Sequence, residues 1–256
     1  MTNTTRIGIA GTTGRMGALL VQEIGTAGLV LAGGIARDKP FPPRVRRFPD
    51  IAALAQEADV VIDFTHAAAA QPHAAALAAA GTAWVLGTSG LSAAEEAAVA
   101  EAARRIPAVY AANFAPGVNL VLALAERMAA ALPPDTYDAE IVEMHHRQKV
   151  DAPSGTAVGI GRAVAKGRGQ DLSEVMESGR HGHTGARKPG AIGFAALRGG
   201  QVVGEHTLIF AAATEHIALT HRAFDRRSFA AGAVRAALWI KGQPPGLYSM
   251  MDVLGM

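Results

Sequence analysis

Two segments of this 256-residue chain carry residue types at spacings that could do chemistry. The first is a glycine-rich loop directly after a short apolar run, and it reads Gly11-Thr12-Thr13-Gly14-Arg15-Met16-Gly17. Glycines between a strand and a helix let the backbone approach a pyrophosphate, and free N–H groups at the helix N-terminus receive its negative charge. The loop therefore predicts a dinucleotide site. Its spacing is G-x-x-G-x-x-G and not G-x-G-x-x-G, so a tight turn in a fold that binds another ligand is the alternative.

The second segment spans residues 140–157 and combines basic side chains with a helix start. His145 and His146 are adjacent, so their side chains point to different sides of a strand and make a poor metal chelate. No Cys and no His-Glu-x-x-His pattern completes a metal site, and we expect none. Lys149 follows at the strand end, and Ser154-Gly155-Thr156 opens a helix whose N–H groups and hydroxyls suit an anion. This set suits a substrate that bears carboxylates and requires protonation, although a charged edge strand before a capped helix would look the same.

The residues after the second apolar run bear on which nicotinamide cofactor is bound. An acid at the end of that strand would bind the ribose 2′-hydroxyl of NAD, whereas an Arg accommodates the 2′-phosphate of NADP. The sequence has Ala36 at the acidic position and Arg37 directly after it, which favours NADPH. Asp38 would restore an acid if the alignment shifted by two residues, so NADH is the alternative.

Two further segments follow apolar runs and are rich in small residues. They are Gly87-Thr88-Ser89-Gly90 and Ala111-Ala112-Asn113-Phe114. Ligands of open α/β sheets bind at the carboxyl ends of the strands, and small side chains there leave room for a nicotinamide ring. Either segment could equally be an ordinary turn.

The elements that must position these segments alternate along the first half of the chain. Short apolar runs predict strands, and Ala-rich stretches between them predict helices. The predicted strands are residues 7–10, 30–35, 60–64, 84–86 and 108–111, and the predicted helices are 15–24, 66–80 and 92–104. Strands that alternate with helices at this spacing form parallel β-α-β units with right-handed crossovers. We therefore predict an α/β fold with a Rossmann-like doubly wound parallel sheet.

The pattern changes after Asn113, where strands follow one another without helices between them. The predicted helices are residues 118–132, 156–166 and 228–240, and the predicted strands are 139–146, 191–197, 202–211 and 217–221. Gly199-Gly200 lies between two of these strands and predicts a hairpin turn. Such a succession predicts a second α+β domain with a mixed sheet.

Composition narrows the class of protein. Lys and Arg number 24 against 22 Asp and Glu, and the densest basic stretch, Arg44 with Arg46 and Arg47, is too short to predict a nucleic-acid partner. There are no cysteines, which suits a reducing compartment. Residues 1–6 are short and polar, unlike a signal peptide, and no apolar run is long enough to span a bilayer. We therefore expect a cytoplasmic protein without nucleic-acid or membrane partners.

Taken together, these segments resemble the 4-hydroxy-tetrahydrodipicolinate reductase family, also called dihydrodipicolinate reductase. The resemblance covers nearly the whole chain, and the segment from His145 to Thr156 is highly specific. The matching segments are residues 11–17, 63–65, 87–90, 113–114, 117–119, 145–147, 149, 151–157, 182–185 and 204–207.

The resemblance implies reduction of 4-hydroxy-tetrahydrodipicolinate, a small dicarboxylate, to tetrahydrodipicolinate by NAD(P)H in lysine and diaminopimelate biosynthesis, with overall loss of water. It implies that His145 is the general acid/base and Lys149 a proton donor. It also implies that His146, Gly155 and Thr156 hold the substrate carboxylates, with Ser154 nearby. The cofactor contacts that it implies are Gly11, Thr12, Thr13, Gly14, Arg15, Met16, Gly87, Thr88, Ser89, Ala111, Ala112, Asn113 and Phe114.

The family fold implies a domain organisation and an assembly. It implies a dinucleotide-binding domain of residues 1–114 and 226–256, a substrate-binding and oligomerisation domain of residues 115–225, and a homotetramer that closes at a hinge between its domains. Many members have an acid where this sequence has Ala36, which weakens any transfer of an NAD preference. The Pro-rich loop at 39–49 adds Arg44, Arg46 and Arg47 as candidates for a 2′-phosphate.

Two other functions are compatible with the sequence at this point. Another two-domain NAD(P)-dependent dehydrogenase, acting on an amino-acid semialdehyde or on aspartate, would leave the segment from Lys149 to Thr156 unexplained. A non-catalytic nicotinamide sensor would predict a damaged site, whereas His145, Lys149, Ser154 and Thr156 are all present.

Overall fold

A computed structural model describes residues 5–37 and 40–256 of the chain. The described residues form two compact units, the first running to Pro116 and resuming over Arg227–Met256, the second being Gly117–Arg226. These bounds differ by one or two residues from the sequence-based ones, because the first boundary falls at the start of a helix, Pro116–Ala131. In the described part of the chain, no helix combines the length and apolar character that a bilayer crossing requires.

The first unit is built from strands that alternate with helices. The strands are β1 (Arg6–Ala10), β2 (Val30–Ile35), β3 (Val60–Asp63), β4 (Ala83–Leu86) and β5 (Pro107–Tyr110), and the helices are α1 (Arg15–Thr26), α2 (Ile51–Glu57), α3 (Ala70–Ala80) and α4 (Ala93–Ala103). The sequence-based prediction missed α2, whose N-cap Asp50 accepts a hydrogen bond from the Ala53 N–H at 2.8 Å. Its apolar positions Ile51, Leu54 and Ala55 are buried at helical spacing.

The second unit contains one mixed sheet. Its elements are α5 (Pro116–Ala131), β6 (Asp138–His145), α6 (Gly155–Gly167), α7 (Leu172–Val175), β7 (Met176–Ser178), β8 (Ile192–Arg198), β9 (Gly204–Ala211) and β10 (His216–Ala223). The strand order is β10-β9-β6-β8-β7, with β8 parallel to both β6 and β7, and β9 antiparallel to both β6 and β10. The predicted mixed sheet is confirmed.

The predicted hairpin at Gly199-Gly200 is wrong. Strands β8 and β9 do not pair with each other, because β6 lies between them in the sheet. The Gly199 N–H donates to the His145 carbonyl at 2.9 Å, and the Arg147 N–H donates to the Gly200 carbonyl at 3.3 Å. The turn therefore crosses the end of β6, and it packs against the segment that carries the predicted catalytic residues.

The chain then returns to the first unit through α8 (Arg227–Ile240), β11 (Gly246–Tyr248) and α9 (Met250–Leu254). Strand β11 extends the first sheet to the order β11-β5-β4-β3-β1-β2, in which every neighbouring pair is parallel. One apolar core joins α1, α8 and α9 to the sheet, and another joins α2, α3 and α4 to it. Helices therefore cover the sheet through two cores, which confirms the predicted doubly wound fold.

Candidate active site

The predicted cofactor segments lie side by side along one edge of the first sheet. The strands lie in the order β2-β1-β3-β4-β5, so their carboxyl ends are neighbours. In the same order, these ends are followed by Arg37, the 11–17 loop, Phe64, the 87–90 segment and the 111–114 segment. Neighbouring strands are about 4.8 Å apart, so these ends span roughly 19 Å, enough for an extended ligand. Gly87 lies against Phe64, since a side chain at position 87 would overlap the ring atoms of Phe64.

Close packing at the glycine-rich loop explains its composition. Gly11 has φ +89°, and a Cβ there would lie 3.0 Å from the Phe64 carbonyl oxygen. A side chain at Gly17 would overlap the carbonyl oxygens of Gly11 and Thr12. Helix α1 begins with Gly14 as an N-cap that has no side chain to bond the first turn, so the N–H groups of that turn have no partner within the helix. The loop therefore offers N–H groups and a positive helix end to an anion.

A cavity of about 590 Å³ opens on this loop, a volume suited to a small-molecule ligand. Of the residues predicted to bind cofactor, Gly11, Thr13, Gly14 and Arg37 line it. The other lining residues are Ile35, Ala36, Pro49, Phe64, Thr65, His66, Ala69 and His73. The cavity thus brings the glycine-rich loop together with the end of β2, where the choice between NAD and NADP was predicted to lie.

Three other residues that were predicted to bind cofactor have buried side chains. The Thr12 hydroxyl is buried and donates to the carbonyls of Ile9 and Ile35, at 3.0 and 3.2 Å. The Phe114 ring is buried and packs edge-to-face on Phe64 with 5.6 Å between the centroids. The Thr88 hydroxyl is buried and has no hydrogen-bond partner among residues 5–37 and 40–256.

The remaining predicted residues stand at the ends of elements. Arg15 and Met16 lie in the first turn of α1, whereas Gly87 and Ser89 follow β4, and Ala111, Ala112 and Asn113 follow β5. Asp38, the alternative acid, lies outside the described residues.

Two of the basic residues in the Pro-rich loop already have partners within the first unit. The Arg46 guanidinium lies 4.4 Å from the Phe48 ring centroid and 3.5 Å from a carboxylate oxygen of Glu57. Arg47 donates to the backbone carbonyl of Arg37 at 3.2 Å, so it supports the backbone at the predicted discriminating position.

A buried acid near the cavity belongs to the matching segment 63–65, to which no role was assigned from the sequence. Asp63 is fully buried, and its carboxylate accepts hydrogen bonds from the backbone N–H and the hydroxyl of Thr65, at 3.0 and 2.7 Å. Its other oxygen lies 2.7 Å from His73 Nδ1. Asp63 therefore fixes two residues of the cavity wall. Because His73 stands in an Ala-rich helix ten residues later, only the fold reveals the pair.

The predicted catalytic residues of the second unit lie at the end of β6 and in the loop that follows it. His145 Nδ1 lies 2.6 Å from a carboxylate oxygen of Glu143. The Lys149 ammonium contacts both carboxylate oxygens of Asp151 at 2.8 Å, and the Lys149 N–H donates to the His146 carbonyl at 3.1 Å. His146 Nδ1 is buried and has no hydrogen-bond partner in the described part of the chain.

The predicted anion site forms the start of α6. Ser154 is the N-cap, and its hydroxyl oxygen accepts from the Ala157 N–H at 3.2 Å and lies 3.0 Å from His206 Nε2. A Cβ at Gly155 would meet no atom within 4 Å, so open space lies beside the first residue of this 13-residue helix. Thr156 follows in the first turn.

Two charged residues that the sequence reasoning did not identify complete this site. Glu143 is 1% exposed, and the Arg198 guanidinium binds both of its carboxylate oxygens at 2.8 Å. Burial alone would raise the pKa of Glu143, but hydrogen bonds from Arg198, His145 and the Ser154 N–H hold it below its ordinary value. Glu143 is therefore ionised at neutral pH.

His206 is a buried histidine beside His145. Burial, with a smaller contribution from nearby His145, lowers the pKa of His206 from 6.5 to about 4, so its ring is neutral at neutral pH. The ring packs edge-to-face on His145 with 5.1 Å between the centroids. No group of three or more His, Cys, Asp or Glu residues is arranged to hold a metal ion in residues 5–37 and 40–256.

A parallel sheet with a glycine-rich first turn, joined to a unit that carries His145, Lys149 and an open helix N-terminus, defines a two-unit oxidoreductase of the nucleotide-binding α/β class. Two family models match the chain, described as the N-terminus of dihydrodipicolinate reductase over residues 5–114 and its C-terminus over residues 117–254. The chain belongs to the dihydrodipicolinate reductase family.

Individual proteins agree with this membership. The 4-hydroxy-tetrahydrodipicolinate reductase of Granulibacter bethesdensis is 70% identical over 254 residues, covering 98% of this chain and 97% of the relative. The enzyme of the same name from Acidiphilium cryptum is 64% identical over 251 residues, covering 98% of both chains. The solved structure of dipicolinate-bound dihydrodipicolinate reductase from Paenisporosarcina sp. TG-14 has a TM-score of 0.80 at 23% identity, over 97% of this chain and 98% of that one.

Proposed function

We propose that this protein reduces 4-hydroxy-tetrahydrodipicolinate to tetrahydrodipicolinate with a reduced nicotinamide cofactor, in lysine and diaminopimelate biosynthesis. Relatives that carry this name match nearly the whole chain, one of them at 70% identity over 98% of it. The observation that carries the proposal is the open N-terminus of α6, which follows His145 at the end of β6 and Lys149 in the next loop. A substrate with two carboxylates and a ring nitrogen needs anion-binding N–H groups beside a proton donor.

In this proposal each residue of the loop has a distinct task. Gly155, Thr156 and His146 bind the carboxylates. Ser154 is 2% exposed and its hydroxyl already bonds Ala157 and His206, so it orients the helix start on which the carboxylates bind. When bound, the reduced nicotinamide supplies a hydride. Loss of water from the substrate leaves a conjugated C=C–C=N system, which accepts this hydride at carbon. Lys149, or protonated His145, delivers a proton to the substrate nitrogen on which negative charge develops.

The first unit is proposed to hold the cofactor, with NADPH preferred over NADH. The structure fits a dinucleotide because the glycine-rich loop leaves no room for side chains at Gly11 and Gly17, and because the cavity opens on it. Arg37 lines that cavity, and Ala36 beside it supplies no carboxylate to repel a phosphate. Arg37 is therefore assigned to the 2′-phosphate.

The second unit is proposed to bind substrate and to assemble a homotetramer. Its core buries Ala139, Ile141, Leu208 and Phe210 against α5 and α6. Because side chains alternate along a strand, Val142 and Ile209 lie on the opposite face, and Leu197 of the neighbouring β8 is 51% exposed. The same face also carries the Glu205–Arg222 ion pair, so it is mixed in character, and its apolar side chains support assembly through the sheets of several copies.

A coupled assay tests the proposed reaction. The condensing synthase, pyruvate and aspartate semialdehyde generate the substrate in situ, while nicotinamide absorbance is followed with NADPH and NADH in parallel. We expect synthase-dependent oxidation, faster with NADPH, and a loss of about 10²- to 10⁴-fold in kcat for Lys149→Ala, since a positioned proton donor contributes that much.

Each alternative reading predicts another outcome of that assay. A folded protein that binds NADPH but catalyses no reaction in any of these assays would be a non-catalytic nicotinamide sensor. Oxidation of aspartate or of an amino-acid semialdehyde by NAD(P)⁺, without synthase-dependent activity, would indicate another dehydrogenase.

A further inference from the structure

Glu143 is a buried carboxylate whose hydrogen-bonding capacity is fully used. It lies within β6, and it is 1% exposed. One carboxylate oxygen contacts His145 Nδ1 at 2.6 Å and Arg198 Nη1 at 2.8 Å. The other contacts Arg198 Nη2 at 2.8 Å and the Ser154 N–H at 3.1 Å. A carboxylate has about four acceptor sites, and here each oxygen bonds two donors.

Such an environment determines which ring nitrogen of His145 carries a proton. An ionised carboxylate accepts hydrogen bonds and donates none, so Nδ1 must be the donor in the 2.6 Å contact. We propose that Glu143, held by Arg198, is a positioning residue that keeps the proton of neutral His145 on Nδ1 and leaves Nε2 to exchange a proton with the substrate. This inference rests on the proposed function, in which His145 is the general acid/base.

The surroundings of Nε2 support the assignment. Within residues 5–37 and 40–256, Nε2 of His145 has no hydrogen-bond partner, whereas Nδ1 has Glu143. A Cβ on Gly204 would lie 3.0 Å from Nε2, so the absence of a side chain there gives this edge of the ring its space. Neighbouring His206 is neutral at neutral pH and adds no positive charge beside the ring.

The same pair also connects the acid/base to the anion site. Arg198 stands opposite His145 in the parallel register of β6 and β8, so its guanidinium reaches across to Glu143. The guanidinium also donates to the Asp151 carbonyl at 2.7 Å, while Glu143 accepts from the Ser154 N–H. One ion pair therefore fixes the His145 ring and the backbone that leads into α6. The charges neutralise each other, which a buried carboxylate requires.

The tautomer of His145 can be measured without any substrate. In ¹⁵N-labelled protein, long-range ¹H–¹⁵N spectra distinguish protonated from unprotonated ring nitrogens, and the His145→Gln spectrum identifies the His145 signals. At a pH where the ring is neutral, we expect the proton on Nδ1. Glu143→Gln replaces an obligate acceptor by an amide that also donates, so we expect a population with the proton on Nε2.

The activity of Glu143→Gln separates positioning from a purely structural role. Its kcat in the coupled assay is expected to fall about 10- to 100-fold, the loss seen when a carboxylate that orients a metal-bound histidine is replaced. The KM for NADPH is expected to stay within about twofold, because the cofactor residues lie on the other unit. Glu140→Gln is the matched control: Glu140 is on the same strand and contacts Arg180 at 2.9 Å and Arg187 at 2.8 Å, but no histidine. It should change neither the His145 spectrum nor kcat.

The wild-type spectrum decides the inference even if Glu143→Gln does not fold. A proton on Nε2 in the wild type would overturn it, and so would a folded Glu143→Gln protein that retained both the Nδ1 tautomer and wild-type kcat. Because the spectrum requires no turnover, an inactive wild-type protein with the Nδ1 tautomer would contradict the proposed reaction alone and leave the orientation of His145 established.

Discussion

At the scale of single residues, the balance between burial and hydrogen bonding decides the charge states of Glu143 and His206. Glu143 stays ionised because Arg198, His145 and the Ser154 N–H all donate to it, whereas His206 stays neutral because few polar partners offset its burial. His206 Nε2 contacts the Ser154 hydroxyl, and its Nδ1 has no hydrogen-bond partner in the part of the chain that the structure describes. The neutral ring therefore contributes to stability in a pH-dependent way.

The buried His206 ring should make the stability of the protein depend on pH. Between about pH 6.5 and pH 4 the unfolded chain binds a proton at His206 that the folded chain does not, because burial lowers the folded-state pKa to about 4. Stability contributed by the neutral ring is thus present above pH 6.5 and falls as the pH falls through this window, by at most about 3 kcal/mol. We expect the Tm of the wild type to fall more between pH 7.5 and pH 5.0 than that of His206→Asn. Equal decreases would show that His206 does not carry the effect.

The second prediction concerns cofactor choice. Arg37→Ala should raise the KM for NADPH about 10-fold or more, since a charge-assisted hydrogen bond to phosphate is lost, and should leave the KM for NADH nearly unchanged. Arg46→Ala is the control, because Phe48 and Glu57 already engage that guanidinium. Steady-state kinetics with both cofactors check the prediction. Unchanged NADPH kinetics in Arg37→Ala would remove Arg37 from the 2′-phosphate site, and an effect of Arg46→Ala alone would move that site to the Pro-rich loop.

At the scale of elements, the strand-to-helix turn at β1 and α1 depends on its lack of side chains. Gly17→Ala places a methyl group against the carbonyl oxygens of Gly11 and Thr12, which displaces the loop or the first turn of the helix. We expect this variant to lose cofactor affinity at least about 10-fold, because the N–H groups that meet the phosphates move. Gly25→Ala lies in the same helix and meets no atom within 4 Å, so it should bind cofactor normally and be about 0.5–1 kcal/mol more stable. Normal NADPH titration of Gly17→Ala would contradict this account.

The sequence predicts elements well where the pattern is local. Val30–Ile35 forms a strand with the predicted bounds, and α8 ends at Ile240 as predicted. The prediction missed β7 and β11, each of three residues, because so few residues show no periodicity. It found β8 and β9 but wrongly paired them as a hairpin, because strand pairing depends on the position of β6, which is distant in sequence.

Residues of the candidate site that are close in sequence could also be predicted, whereas those brought together by strand pairing could not. His145, Lys149 and Ser154 fall within ten residues and form a recognisable motif. Glu143 and Arg198 are 55 residues apart, and the register of β6 with β8 brings them together. One sequence signal for Glu143 was available: it lies two residues before His145, so both side chains are on the same face of the strand.

At the scale of the whole molecule, the open face of the mixed sheet leads to a prediction about assembly. Leu197→Asp adds a charge to the exposed face of β8, and Val142 and Ile209 lie on the same sheet. We expect the wild type to have the mass of a tetramer by light scattering after size-exclusion chromatography, and the variant to have a lower mass, since a buried unpaired charge opposes association. A monomeric wild type would exclude this assembly.

Hydride transfer from the cofactor to this substrate can be followed by isotope transfer. The substrate would be generated by the synthase and reduced with NADPH that carries deuterium at the transferable C4 position, and the product would be analysed by mass spectrometry. We predict tetrahydrodipicolinate with one added deuterium, formed by the wild type and far more slowly by Lys149→Ala. Tetrahydrodipicolinate without deuterium, or no product from a folded protein that binds NADPH, would contradict the proposed hydride transfer.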